Sequence, residues 1–225
     1  DPLRDFAPIT YLADVPLYCA VPAELPAQDL AGLLAMARRQ PGSVSYASSG
    51  IGSGGHLAGA LLAQRSGAPL THVAYRGAAP ATTDLVAGRV QMLFVGLPVV
   101  AQHVAAGRLR LLAVATPRRT GTQPEVPTVA EAAALPGFAI ASWYGLLAPA
   151  GTSPGIVQRL HAEATRALAL PEVREALFVR AGLEPNGAGP EAFAAGIAAE
   201  IPEYRRILRL AGAQPVVHVC WWEAD

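Results

Sequence analysis

The stretch Ser45-Tyr46-Ala47-Ser48-Ser49-Gly50-Ile51-Gly52-Ser53-Gly54-Gly55-His56-Leu57 decides the architecture. A short β-prone segment, residues 44–47, runs into a Ser/Gly loop at 48–55, and the loop becomes a helix over 56–65 closed by Gly67. Small residues let the backbone turn sharply at the strand end, and the first amides of a helix have no intrahelical acceptor. Such a loop points unpaired N–H groups, backed by the helix dipole, at whatever lies in front of it. A carboxylate or another small anion is the natural guest, with the hydroxyls of Ser48, Ser49 and Ser53 as further donors. A serine-capped turn with no ligand uses the same residues, so the loop alone leaves both readings open.

Outward from this loop, strand-like and helix-like segments alternate, which predicts an α/β fold. Residues 15–21 read as a buried strand. Residues 25–40 read as an amphipathic helix with Leu30, Leu33, Leu34 and Ala37 on one stripe, Pro26 in the first turn, Asp29 and Arg38/Arg39 suiting the dipole, and Pro41-Gly42 as the stop. A strand at 71–75 runs into Arg76-Gly77-Ala78-Ala79-Pro80 and a short helix to 87, a second helix start whose amides face the same side as the first. Strands at 90–95 and 109–115 flank a helix at 99–106. Residues 116–127 form a surface loop, and 138–148 read as a second long apolar strand. Beyond it the chain reads as helical, with Pro154, Pro171 and Pro190 opening helices and Pro202 expected to kink the last one. Composition shifts near 22 and 148, beside the two long strands, as in a hinged two-lobe protein.

The 225 residues are 52% hydrophobic and 15% charged, with 20 Pro and 22 Gly. That suits one large or two small packed domains and excludes disorder. Seventeen Lys and Arg, all of them Arg, balance seventeen Asp and Glu, so no global field draws the chain to nucleic acid or an anionic membrane. No apolar run reaches the ~18 residues of a membrane span. Cys19 and Cys220 stand about two hundred positions apart, neither a metal nor a redox spacing, and nothing in the sequence brings them together as a disulfide.

Gly50-Ile51-Gly52-Ser53-Gly54-Gly55 also fits G-x-G-x-x-G between a strand and a helix. A dinucleotide fold wants an acidic residue about twenty positions on, where this chain has Tyr75-Arg76. Arginine suits a 2′-phosphate, so an NADP-binding oxidoreductase using this loop stands as the alternative, against a short, half-polar preceding strand and no evident catalytic base. Ser53 is not in a G-x-S-x-G elbow, and no nearby acidic residue orients His56. His56 is expected at the helix start, bonded to the loop or to a ligand. His72, His103, His161 and His218 lack metal-ligand spacing. No catalytic residue, metal or cofactor is predicted, and Asp84 reads as a solvated helix residue. Phe94-Val95-Gly96-Leu97-Pro98 supplies a third strand end, while Trp143 and Tyr144 are placed either to wall a cleft or to pack a hinge.

Several of these segments resemble one family. Asp5-Phe6-Ala7-Pro8-Ile9, the 46–57 loop, Tyr75-Arg76-Gly77 with Ala79-Pro80, Pro127-Thr128-Val129-Ala130-Glu131, and Ser142-Trp143-Tyr144-Gly145-Leu146-Leu147 with Ala148-Pro149-Ala150-Gly151-Thr152 resemble the Bug/TctC receptors of tripartite tricarboxylate transporters, in order and spacing over residues 3–213. The resemblance implies a type II periplasmic-binding-protein fold, a periplasmic location, a small carboxylate ligand, a monomer, hand-over to membrane permease subunits, and no catalysis. It implies ligand-facing roles for the 48–56 loop, with Ser48, Ser49, Gly50, Gly52, Ser53 and His56, and for the 77–79 turn, with Gly77 and Ala78; the reading of the residues adds Tyr75 and Trp143 as candidate ligand-binding residues. It divides the chain into a partial first lobe with crossing strands (1–21 and 141–215), a complete second α/β lobe (22–140) and an atypical tail (216–225) containing Cys220-Trp221-Trp222. Neither a signal peptide nor the family's opening strand and Pro-Gly-Gly loop has a counterpart, so a chain lacking its N-terminal segment is expected. Ile156, Leu160, Phe193 and Ile197 are then expected to lose packing surface worth several kcal/mol at ~25 cal/mol per Å², and binding by these 225 residues to be weak or absent. Val95-Gly96 departs from many relatives, which carry polar residues there.

Overall fold

A computed structural model describes residues 2–140 and 142–212. A helical turn, α1 (Pro2–Asp5), leads into β1 (Phe6–Asp14), a nine-residue strand. No sequence pattern marks β1. Its pairing slips between Pro8 and Thr10 and again between Tyr11 and Ala13, and such bulges break the two-residue period by which a strand is recognised.

After Val15-Pro16 the chain enters β2 (Leu17–Pro22) and then α2 (Leu30–Arg39). This helix starts later than Pro26 suggests, because the Asp29 carboxylate accepts the Gly32 N–H at 2.7 Å and caps it there. There follow β3 (Ser45–Ser48), α3 (Gly54–Ser66), β4 (Thr71–Ala74), α4 (Ala78–Val86), β5 (Met92–Gly96), α5 (Leu97–Ala105) and β6 (Leu109–Val114). The five strands lie in the order β4-β3-β5-β2-β6. β3 is parallel to β4 and β5, whereas β2 is antiparallel to β5 and β6.

Successive strand residues face opposite layers, as strand geometry requires. Cys19, Tyr46, Met92 and Phe94 join Leu30, Leu33, Leu62 and Phe138 in one core. Ala20, Ala47, Leu93 and Val95 join Ala81, Leu85 and Val100 in the other. Both faces are covered, which is why these strands read as continuous apolar runs. Cys19 is fully buried in the first core; Cys220 and the tail 216–225 lie outside the described residues.

A short helix, α6 (Val129–Ala132), carries a capping box between Thr128 and Glu131. The strand expected over 138–148 is only β7 (Trp143–Pro149). Phe138 and Ile140 instead fill the first core, and the Ile140 N–H is held by the Ala115 carbonyl. β7 pairs with β1, and β1 with β8 (Glu184–Pro185), in a second sheet ordered β7-β1-β8. The segment after β7 holds α7 (Pro154–Ala169), α8 (Pro171–Arg174), a π-helical turn at Glu175–Arg180 and α9 (Pro190–Leu210), so β8 and the π-turn interrupt the expected run of helices.

Phe193 and Ile197 are 1% and 7% exposed, which corrects the expectation that they lose packing surface: Tyr11 and Trp143 cover Phe193 from two sides. Ile156 and Leu160 on α7 do remain open, at 55% and 43% exposure. Among the described residues β7 is an outer strand, with Tyr144, Leu146 and Leu147 exposed.

Candidate functional site

The Ser/Gly loop is built from its own hydrogen bonds. The Ser48 hydroxyl takes the Gly50 N–H at 3.2 Å, and the Ser53 hydroxyl donates to the Gly50 carbonyl at 2.8 Å. Ser53 also caps α3 by accepting the His56 N–H. The imidazole of His56 then turns back, and its Nδ1 accepts the Gly52 N–H at 3.0 Å. Accepting at Nδ1 puts the ring proton on Nε2, so this contact requires the neutral ring. His56 is buried and its ring stacks 4.0 Å from that of His72, with the Tyr46 ring 4.9 Å from His72 and 6.5 Å from His56. His72 Nε2 in turn meets the Ser48 hydroxyl at 2.7 Å. Burial lowers the pKa of His56, and burial together with the His56 imidazole lowers that of His72 to about 4.

The next strand end is laced to this loop. The Tyr75 N–H bonds the Ser48 carbonyl and the Gly77 N–H the Ser49 carbonyl, extending the β3–β4 ladder. The Tyr75 hydroxyl donates to Asp84, which also takes Arg89 at 2.7 Å, so Asp84 is a paired residue and not a merely solvated one. Arg76 stays exposed.

The amides of Gly50, Gly52 and Gly77 are therefore consumed inside the loops. Among the described residues, those of Gly54 and Gly55 at the start of α3 and of Leu97 and Val99 at the start of α5 take no protein acceptor. Both helix starts border a cavity of about 400 Å³ at the C-terminal ends of β3 and β5. Ser49, Gly54, Gly55, Val95 and Val99 form one side, and Tyr144, Leu177 and Leu183 come from the segment carrying the second sheet. Gly55 has no room for a side chain: a Cβ there would sit 2.5 Å from the Phe94 carbonyl oxygen. That close approach lets α3 open directly over β5.

Of the residues picked from sequence, Ser49 borders this cavity, while Ser48 and His56 lie beneath it, fully or nearly fully buried. Gly50, Ser53, Tyr75, Gly77 and Ala78 shape the adjoining turns without lining it. Gly52 and Trp143 line a neighbouring cavity of about 310 Å³ beside α9, where the Trp143 indole N–H bonds Glu200 at 3.0 Å. Strand alternation sends Tyr144 the other way, into the larger cavity. Gly54, Gly55 and Tyr144 were readable as loop and crossing-strand residues, but Leu177 and Leu183 carry no sequence signal that brings them there.

An α/β chain with its candidate cleft at the carboxyl ends of parallel strands, beside the strands that join two sheets, is a periplasmic-binding-protein-like molecule. Residues 1–212 match the family described as "Tripartite tricarboxylate transporter family receptor", and the chain belongs to that family. A UPF0065 protein from the tcbD-tcbE intergenic region of Pseudomonas sp. (strain P51) is 43% identical over 205 residues, covering 91% of this chain and 61% of the relative. The chain thus spans less than two thirds of that relative's length. The solved structure of R. palustris Rpa4515 with adipate is 35% identical with a TM-score of 0.87, covering 96% of this chain and 72% of that one. MatC (Rpa3494) from Rhodopseudomonas palustris with bound malate is 28% identical with a TM-score of 0.82, covering 92% and 71%. These likenesses bear out the type II periplasmic-binding-protein-like fold. They replace the NADP reading, against which the Gly50 and Gly52 amides also speak, since both are already bonded within the loop.

Proposed function

We propose that this chain is the ligand-holding part of a periplasmic solute receptor that binds a small carboxylate and releases it unchanged to membrane permease subunits. The single observation that supports it most is the cavity bordered by Gly54, Gly55 and Val99, whose amides take no acceptor among the described residues. Two helix starts aimed at one space favour an anion there without any cationic side chain. The adipate and malate held by two solved relatives are acids of that kind.

In this reading Ser49, Gly54 and Gly55 touch the carboxylate. Ser48, Gly50, Gly52, Ser53 and His56 hold the loop in shape, and Tyr75, Gly77 and Ala78 brace it from β4. Trp143 fixes the hinge side through Glu200. The two sheets are the two lobes, with the chain crossing near residues 15–16 and 139–142.

Amide spectra test this down to millimolar affinity. Adipate or malate added to the ¹⁵N-labelled chain should move the Ser49, Gly54 and Gly55 signals saturably. Shifts scattered over the surface, or none at acid concentrations in the tens of millimolar, would refute the reading.

A further inference from the structure

Leu177, Ala181 and Leu183 reach the cavity from one short segment. There α8 runs into the π-helical turn at Glu175–Arg180, and the Ala181 N–H bonds the Ala176 carbonyl five residues back. The Leu183 N–H then takes the Leu177 carbonyl, with Gly182 between them at a φ of +63°, a left-handed conformation open to glycine. This wide exit packs Phe178 with Ala13 and Leu183, while Leu177 and Ala181 border the cavity. Single π-helical turns are rare and frequently mark functional positions.

Two contacts tie this segment to the five-stranded side of the molecule. A Cβ on Gly182 would sit 2.9 Å from Leu97 Cδ2 and 3.6 Å from the Thr122 hydroxyl, so glycine is what lets the Leu97 side chain pack there. The Glu184 carboxylate accepts the Gly121 N–H at 3.3 Å. Both receiving points are anchored. Leu97 opens α5 and packs with Tyr18, Val114 and Val126. The Tyr18 hydroxyl meets that of Thr120 at 2.7 Å and that of Thr122 at 3.4 Å, which fixes the loop carrying Gly121. On the other side, Glu184 sits in β8 opposite Asp14 of β1. Heavier joins exist elsewhere: the Val15 N–H bonds the Ser142 carbonyl where the chain crosses, and Ile207 of α9 lies in the first core. One hydrogen bond and one glycine contact are light beside these, so they can break and re-form without unfolding either side.

We propose that Gly182 and Glu184 are positioning residues of the receptor, a clasp that holds Leu177, Ala181 and Leu183 against the cavity and sets how long a bound acid stays. Neither residue lines that cavity, so both act through its wall and not on the ligand. The inference rests on the receptor reading given above. An acid leaves when the clasp opens, so weakening the clasp raises the dissociation rate and leaves entry as fast or faster.

The experiment titrates the ¹⁵N-labelled chain with adipate and with malate at one pH and ionic strength. Relaxation dispersion and line shapes of the Gly54 and Gly55 amides give association and dissociation rates separately. Glu184→Ala should raise the dissociation rate roughly 3- to 10-fold, the worth of one net hydrogen bond. Glu184→Gln keeps an acceptor for the Gly121 N–H and should lie closer to the parent than to Glu184→Ala. Gly182→Ala, which drives a Cβ at Leu97 without touching Glu184, should raise the dissociation rate as well. Urea midpoints show that each variant is folded. A parental dissociation rate in both alanine variants overturns the inference, as does slower association with dissociation unchanged. If neither acid moves these amides in the parent chain, the receptor reading itself fails and takes the inference with it.

Discussion

Gly55→Ala tests how the cleft is built. The new Cβ would lie 2.5 Å from the Phe94 carbonyl oxygen, a backbone atom of β5 that no rotamer change can move aside. Real Cβ atoms stay beyond about 3 Å of such an atom, so the start of α3 must back away from β5 by at least half an ångström or so. Overpacking of this kind costs about 1–3 kcal/mol. Alanine's helix preference, worth up to about 1 kcal/mol over glycine, offsets only part of it. The net expectation is a loss of about 1–2 kcal/mol. The matched control is Gly196→Ala, the same chemical change inside the 21-residue α9, where a Cβ meets nothing within 4 Å. It should gain about 0.5–1 kcal/mol. Urea denaturation of both variants against the parent, with linear extrapolation, reads the two signs directly. The Gly54 amide shift in Gly55→Ala reports whether the helix start has moved. Midpoints moving the same way in both variants, or a Gly55→Ala protein with parental stability and an unmoved Gly54 amide, would refute the reasoning.

Acid should weaken the loop's support. His72 is held neutral with its pKa near 4 in the fold, against 6.5 as the ordinary value. Between these values the unfolded chain binds a proton that the native chain does not, so stability is full above about pH 6.5 and falls toward pH 4. The contribution is at most about 3 kcal/mol, less for solvent screening of a ring that is not fully buried. A His72→Gln variant should flatten urea midpoints over that range, and an unchanged pH profile would count against the stacked pair. Cys19 is fully buried and its thiol pKa is pushed well above the ordinary range by desolvation. Peptide mapping after a thiol reagent should therefore find Cys19 unmodified in the native protein and modified in denaturant, and native labelling would show that the core opens. Phe193→Ala removes a ring at 1% exposure that meets Trp143 edge-on at 5.0 Å. It should cost about 3–5 kcal/mol and shift tryptophan emission to the red, whereas a loss under about 1 kcal/mol would mean that α9 is not docked there.

Much of the fold follows from the sequence alone, because its determinants are local. The α3 cap at Ser53, the stop at Gly67 and the Leu30–Leu33–Leu34–Ala37 stripe depend on residues within a few positions of one another, where spacing dictates geometry. The same locality made the Ser/Gly loop legible as a place where helix amides open toward an anion. Three matters needed the tertiary structure. β1 is a strand because β7 pairs with it across two register shifts, a long-range contact with no two-residue period to betray it. Which loop amides remain free depended on His72 reaching Ser48 from the neighbouring strand and on His56 turning back to Gly52, side-chain placements that a linear pattern does not contain. Finally, the opening motif presents Ser49, Gly54 and Gly55 to the cavity while burying Ser48 and His56 beneath it. The apolar wall opposite comes from Leu177 and Leu183, more than a hundred residues away in sequence. Residue type set what each group can bond; only packing at a distance decided which of those bonds were already made.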